Sequence, residues 1–241
     1  MLLARTTSTI SKHLNLANPQ SILVGQQSIL GVTIGSFDGF HAGHQALFAR
    51  LQEELKRMNP ETSRRALLTS EPHPRQFFGR NLKTTNNVAA AAESRPVTTA
   101  FLPLMTTREK IEYVRSAGFD YFIAQRFNAE LAALSPEQFV EQLIVRDLGA
   151  KLVVVGYDWA FGKGREGSPE KLQQLGARFG FRVVIVEPVV AGGEKISSSR
   201  VRDALGRGEM EQVASLLLRP YSLVGRVVHG DKRGRTIGFP T

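Results

Sequence analysis

With 241 residues, 42% of them hydrophobic and 22% charged, the chain has ordinary globular composition and the length for one large domain, or one domain and part of a second. No apolar run approaches the roughly 18 residues that span a bilayer, the stretch Ser28 to Ile34 being far too short, and the absence of cysteine excludes disulfides, thiolate metal sites and cysteine nucleophiles. The net charge of +9 points to anionic partners; zinc-finger spacing, RNP-type aromatic motifs and long basic blocks are all missing, so phosphorylated small molecules fit it better than nucleic acid or a membrane surface.

Ahead of Asp38 the chain carries Arg5, Lys12 and several Ser and Thr but no acidic residue. That is how an organellar transit peptide reads; the plainer reading is a short basic strand or arm leading into the first core strand. Ile29 to Ile34 then reads as a strand, Gly35 to Gly43 as a Gly-rich turn, and Gln45 to Met58 as a helix with Leu47, Phe48, Leu51 and Leu55 at helical spacing. Ala66 to Thr69 reads as a short strand. Asn81 to Thr99, with Asn86, Asn87, four alanines from Ala89 and Pro96, breaks the pattern and is expected to be a mobile insertion, functional or disordered. Thr107 to Ala117 reads as a helix and Phe119 to Ala124 as a strand. Pro136 to Leu148 reads as a helix capped by Ser135, with Pro136 at its first position. Lys151 to Val155 is the clearest buried strand, and Pro169 to Phe179 and Phe181 to Val186 continue the helix and strand alternation. A helical pattern after Ser197 to Ser199 runs toward Leu218, and Arg219-Pro220 looks like a boundary. Strands alternating with helices imply an α/β fold with a helix-covered parallel sheet.

The strongest chemical signal is Gly35, Ser36, Phe37, Asp38, Gly39, Phe40, His41, Ala42, Gly43, His44, directly after a strand and opening a helix. Glycines let backbone approach a phosphate chain, and the helix start turns its N–H groups and positive dipole end toward the anion. His41 and His44, three apart, share a face and can donate together to phosphate oxygens. A single His in a turn is usually a surface donor, and a Ser-rich loop before a helix, as at Ser197 to Ser199, is usually just an N-cap; His73 between prolines is by itself a rigid loop, and the turn around Trp159 is by itself packing. Two histidines within a Gly-rich strand-to-helix turn are what point to nucleotide chemistry.

A strand followed by H-x-G-H resembles the nucleotidylyltransferase superfamily, and the motif is similar to that of class I aminoacyl-tRNA synthetases. The fuller string from Gly35 to His44 resembles the form found in bacterial bifunctional riboflavin kinase/FAD synthetases. The resemblance implies a Rossmann-like nucleotidylyltransferase domain over residues 1–218. It places Gly35, Ser36, Phe37, Asp38, Gly39 and Gly43 at ATP. Glu71-Pro72-His73-Pro74 is similar to the family's P-H-P loop, putting Pro72, His73 and Pro74 on the flavin side together with Asn128. Gly156 to Gly162 resembles the family's G-x-D-F-x-F-G turn on the adenosine side, with Gly156, Asp158 and Phe161; Trp159 stands where Phe is usual. Ile196 to Arg200 resembles the signature I-S-S-T-x-x-R, with Ser199 in place of Thr; there Ser197, Ser198, Ser199, Arg200, Arg202 and Lys195 would serve the triphosphate opposite His41 and His44. From Tyr221 on, Val224 to Gly230 and Gly234 to Thr241 resemble the opening strand of a flavokinase barrel, so residues 219–241 are expected to be a linker and an incomplete kinase fragment, without riboflavin kinase activity in this chain.

The resemblance implies transfer of AMP from ATP to FMN, giving FAD and pyrophosphate, with Mg²⁺ arriving with ATP rather than held in a protein-only metal site. The alternatives are an adenylyl- or cytidylyltransferase for another phosphate acceptor, and a non-catalytic flavin-nucleotide binding protein. Partners are expected to be small nucleotides (ATP, FMN, FAD), not nucleic acid or membrane, in the cytoplasm, with organellar import the lesser alternative; the oligomeric state is left open.

Overall fold

The computed structural model describes residues 1–8, 29–59, 61–83, 102–226 and 238. Six strands form one sheet: β1 (Leu2–Ala4), β2 (Leu30–Ile34), β3 (Arg64–Glu71), β4 (Tyr121–Arg126), β5 (Leu152–Gly156) and β6 (Arg182–Val186). Their order is β1-β4-β3-β2-β5-β6, and every neighbouring pair is parallel. All of β2 is buried, as are Leu152 to Val155, which is why these strands read as uninterrupted apolar runs.

Alternate residues feed two cores. Val32, Ile34, Val153 and Val155 pack on one face with Ile144 and Leu172; Leu67, Phe122, Leu152 and Val154 pack on the other with Leu51, Leu55 and Val114. The second face is covered by α1 (Ala42–Met58) and α3 (Thr107–Ser116), and the first by α5 (Pro136–Phe139, prolonged by a wider turn over Val140–Asp147) and α6 (Pro169–Phe179). Close packing of α1 on β2 requires Gly31, where a Cβ would come 2.8 Å from the side chains of Leu51 and Leu55. Helices α2 (Pro74–Lys83), α4 (Ala129–Ala133), α7 (Ser198–Arg207) and α8 (Met210–Leu217), and the hairpin of β7 (Val190–Ala191) and β8 (Glu194–Lys195), surround the C-terminal ends of the strands. Among the described residues no helix is long and apolar enough to cross a membrane.

The α/β parallel-sheet expectation holds, with differences in detail. Leu2 to Ala4, in the basic leading segment, form an edge strand beside β4. Asn81 and its neighbours to Lys83 belong to α2, because Pro74 sits at a helix start; residues 84–99 of the expected insertion lie outside the described residues. The helix expected over Pro136 to Leu148 widens after its first turn, and Leu148 N–H reaches back five residues to Leu143 O at 3.1 Å. The last helical pattern breaks at Gly208, whose φ of 75° ends α7. Of the expected kinase strand, Val224 to Arg226 are described and form no strand, while residues 227–237 and 239–241 lie outside the described residues.

Chain order runs from β2 outward through β3 and β4, then crosses to the other side of β2 for β5 and β6. That reversal opens a crevice at the carboxyl ends of the strands, where open α/β sheets bind ligands.

Candidate active site

Just past β2 the backbone turns sharply: φ is 44° at Phe37, 86° at Gly39 and 45° at Phe40. Left-handed conformations at two phenylalanines are unfavourable and persist where surroundings hold them. Here both rings are fully buried against Phe48. They act as anchors that leave His41 as the residue preceding α1 and aim it into the crevice.

The rings of His41 and His44 stack with centroids 3.7 Å apart and planes 21° apart. Both line a cavity of about 950 Å³. The Nδ1 atom of each is buried without a hydrogen bond. Burial pushes the His41 imidazole down to about 4, partly offset by Asp158, and burial followed by the neighbouring His41 and Lys110 pushes His44 well below the ordinary imidazole range. Both are therefore neutral near pH 7, which is what lets the two rings stack face to face, and a neutral imidazole still offers an N–H to an oxyanion. Gly43 permits the stack: a Cβ there would lie 3.1 Å from His41 Nδ1. Gly43→Ala is expected to lower turnover about tenfold by displacing His41, while thermal stability stays level or rises by up to about 1 kcal/mol from better helix propensity; turnover and melting temperature measured together check this.

A second helix start faces the first. Ser197 caps α7, its Oγ accepting from Arg200 N–H at 3.2 Å, and Ser198 Oγ donates to the carbonyl oxygen of Asp38 at 2.8 Å. The two motifs are thus tied directly together, and the N-termini of α1 and α7 lie side by side, helix ends of the kind that favour anions. Arg202, one turn into α7, lines the cavity and donates to Asp38 Oδ2, to Ser198 O at 3.1 Å and to Leu102 O at 3.0 Å. Asp38 Oδ1 also accepts from Leu104 N–H at 2.9 Å.

On the β5 and β6 side the cleft is walled by Gly156 to Gly162. Trp159 stacks on Phe161 at 4.6 Å, and Lys195 bridges Tyr157 Oη at 3.1 Å and Asp158 Oδ2 at 3.3 Å at the mouth. On the β3 and β4 side it is walled by His73, Pro74, Arg75, Phe78 and Phe127. There Phe77, Phe78 and Phe127 make a triangle of edge-to-face rings 5.3, 5.3 and 5.8 Å apart, and Phe78 is 52% exposed. His73 is pushed down to about 4 by burial and then by Lys110, Arg202 and Arg75. Among the described residues no group of three or more His, Cys, Asp or Glu is gathered to hold a metal ion.

A family model described as FAD synthetase matches residues 25–200. The chain belongs to the FAD synthetase family. A second model, riboflavin kinase, matches residues 217–241. Proteins named bifunctional riboflavin kinase/FMN adenylyltransferase from Escherichia coli K12 and Haemophilus influenzae are 39% and 35% identical over 210 and 227 residues, or 87% and 94% of this chain. The matches cover 61% and 66% of those relatives, so the chain spans less than two thirds of their length. A crystal structure described as a macrolide-efflux protein from Streptococcus pneumoniae superposes with a TM-score of 0.73 at 28% identity, covering 99% of this chain and 66% of that one.

Most expected residues of the FAD synthetase pattern meet in the one cleft: Gly35, Ser36, Phe37, His41, Gly43, His44, His73, Pro74, Gly156, Asp158, Phe161, Lys195, Ser197, Ser198, Ser199 and Arg202 all line it. Arg200 does not. Its guanidinium donates to Ala191 O and Glu194 O at 2.8 and 3.0 Å and pairs with the Glu194 carboxylate, anchoring the β7–β8 hairpin. Asp38 and Gly39 lie behind the wall, the Asp38 carboxylate engaged by Arg202 and Leu104. Asn128 caps α4, its Oδ1 accepting from Leu131 N–H at 2.9 Å, and Pro72 is likewise outside the lining. Sequence reasoning missed Lys110, 3% exposed, whose Nζ donates to Ser36 O at 3.3 Å beneath the motif loop. It also missed the Phe77–Phe78 platform; Pro74 followed by an aromatic pair one turn later was the available signal.

Proposed function

We propose that the chain transfers the adenylyl group of ATP to the phosphate of FMN, giving FAD and pyrophosphate. The observation carrying this reading is the stacked, neutral His41–His44 pair at the junction of two helix N-termini, in a cleft at the upper end of the roughly 300–1,000 Å³ typical of small-molecule sites. Family membership and the relatives' names support the same reaction. An FMN phosphate oxygen attacks the α-phosphorus in line, a new P–O bond forms as the bond to the bridging oxygen breaks, and the electron pair leaves with pyrophosphate. No proton need be removed from the nucleophile, so the protein's part is alignment and charge stabilisation.

In this scheme His41, His44, Ser198 and Ser199, with the two helix starts, hold the phosphates, and Arg202 supplies positive charge from the α7 side. Gly156, Asp158 and Phe161 with the Trp159 ring border the adenosine end, and the phenylalanine triangle beside His73 and Pro74 offers apolar faces for the flavin. Mg²⁺ fits as a companion of the nucleotide: Asp158 and Glu187, the lining carboxylates, are too few to enclose it but can complete an oxygen shell with phosphate and water. Such an ion would supply positive charge to offset that developing on the departing pyrophosphate. Pyrophosphate release from Mg²⁺-ATP is expected with FMN and not with phosphopantetheine or nicotinamide mononucleotide as acceptor. Release with another acceptor would reassign the substrate, and FMN binding without release would make the protein a flavin-nucleotide binder.

A further inference from the structure

The riboflavin kinase match begins at Leu217, and Arg219-Pro220 reads as a domain boundary, yet Arg219 folds back onto the loop that presents His41. Its Nη2 donates to the carbonyl oxygen of Gly39 at 2.9 Å, and its Nη1 to those of Phe40 and Leu217 at 3.4 and 3.3 Å. Its guanidinium lies over the ring of Tyr113 at 4.9 Å, and Tyr113 stacks on Phe40 at 4.5 Å and 9°. Gln45 Nε2 joins the same junction, donating to Phe40 O at 3.1 Å and Leu217 O at 2.9 Å. Tyr221 Oη donates to Leu104 O at 3.3 Å, and Leu104 N–H in turn holds the Asp38 carboxylate.

These contacts fall where the loop is hardest to hold. Gly39 and Phe40 both have positive φ, and at Phe40 that conformation is unfavourable and persists only where the surroundings hold it. Arg219 grips the carbonyls of two successive peptide units, Gly39–Phe40 and Phe40–His41. Each unit is planar, so fixing both carbonyls fixes both planes and the direction in which His41 leaves the chain. The planar fork meets the Gly39 and Phe40 oxygens through two separate nitrogens; a lysine ammonium carries all its donors on one atom and does not reproduce that geometry.

We infer that Arg219 is a positioning residue of the adenylyl-transfer site, so that the working transferase unit extends through Tyr221 into the segment matching the kinase model. The inference rests on the adenylyltransferase reading. In the full chain, Arg219→Ala is expected to weaken calorimetric binding of the non-hydrolysable analogue α,β-methylene-ATP about tenfold and to lower turnover by about a further tenfold. FMN affinity, followed by fluorescence quenching, stays at the wild-type value, and millimolar ethylguanidinium restores part of the lost turnover. Arg219→Lys, which keeps the stem and charge, is expected to melt like the wild type and still lose activity, while Arg226→Ala at an exposed position of the same segment changes nothing. Wild-type analogue affinity and turnover in Arg219→Ala would overturn the inference, as would a fully active Arg219→Lys beside an Arg219→Ala whose loss only tracks its unfolded fraction. A wild-type chain that binds the analogue, loses that binding in Arg219→Ala, but forms no FAD would strike the FMN adenylyltransferase reading and leave Arg219 a positioning residue of the nucleotide site alone.

Discussion

His44→Ala is expected to lower adenylyl transfer by about two to three orders of magnitude, the scale for removing one preorganised donor to developing charge. The ring is buried between His41 and the edge of Phe37, with centroids 3.7 and 5.2 Å away, so it enters the reaction already oriented and desolvated. FMN affinity should change little, because the end of the cleft proposed for the flavin is built from β3, α2 and the start of α4. Steady-state kinetics with FMN binding measured in parallel checks this, and near-wild-type turnover in the variant would remove the imidazole pair from the mechanism.

The second large effect is acid lability. His41 and His73 stay neutral to about pH 4 in the folded protein, and His44 too is held well below the ordinary imidazole range, whereas in the unfolded chain imidazoles take up protons near pH 6.5. Between those values the unfolded state binds more protons, so stability rises with pH across the window, is complete above about 6.5 and is lost as the pH falls toward 4. His41 alone contributes about 3 kcal/mol over the window, because each tenfold difference in proton affinity between the folded and unfolded chain is worth about 1.4 kcal/mol. His44 adds to this, and His73, more open to solvent, adds less. Urea unfolding at pH 7.5, 6 and 5 should show the decline, and His41→Gln should flatten it. Equal stability at pH 7.5 and 5 would contradict the neutral, buried pair.

What was legible in the sequence follows from which forces are local. The apolar runs of β2 and β5, the Ser135 cap before Pro136, and the Gly-rich turn before α1 are each specified by residues near one another, and each is found in the structure. The edge strand β1 and the β7–β8 hairpin span only three and two residues per strand, too short to carry a period, and depend on distant partners. At the site, motif spacing brings Ser198, Arg200 and Arg202 to one helix start but does not say which way each side chain runs. Arg200 turns back to a hairpin, and Arg202 reaches Asp38 across 164 residues of sequence. Arg219 looks like punctuation because proline follows it; its carbonyl partners lie 180 and 179 residues earlier, and no local pattern reports them.

The central claim is tested most directly by chromatography of flavins after incubating the chain with Mg²⁺-ATP and FMN. FAD should appear in step with pyrophosphate, in amounts far exceeding the enzyme, and both should fall together in His44→Ala. FMN recovered unchanged from a folded, ATP-binding chain would contradict it.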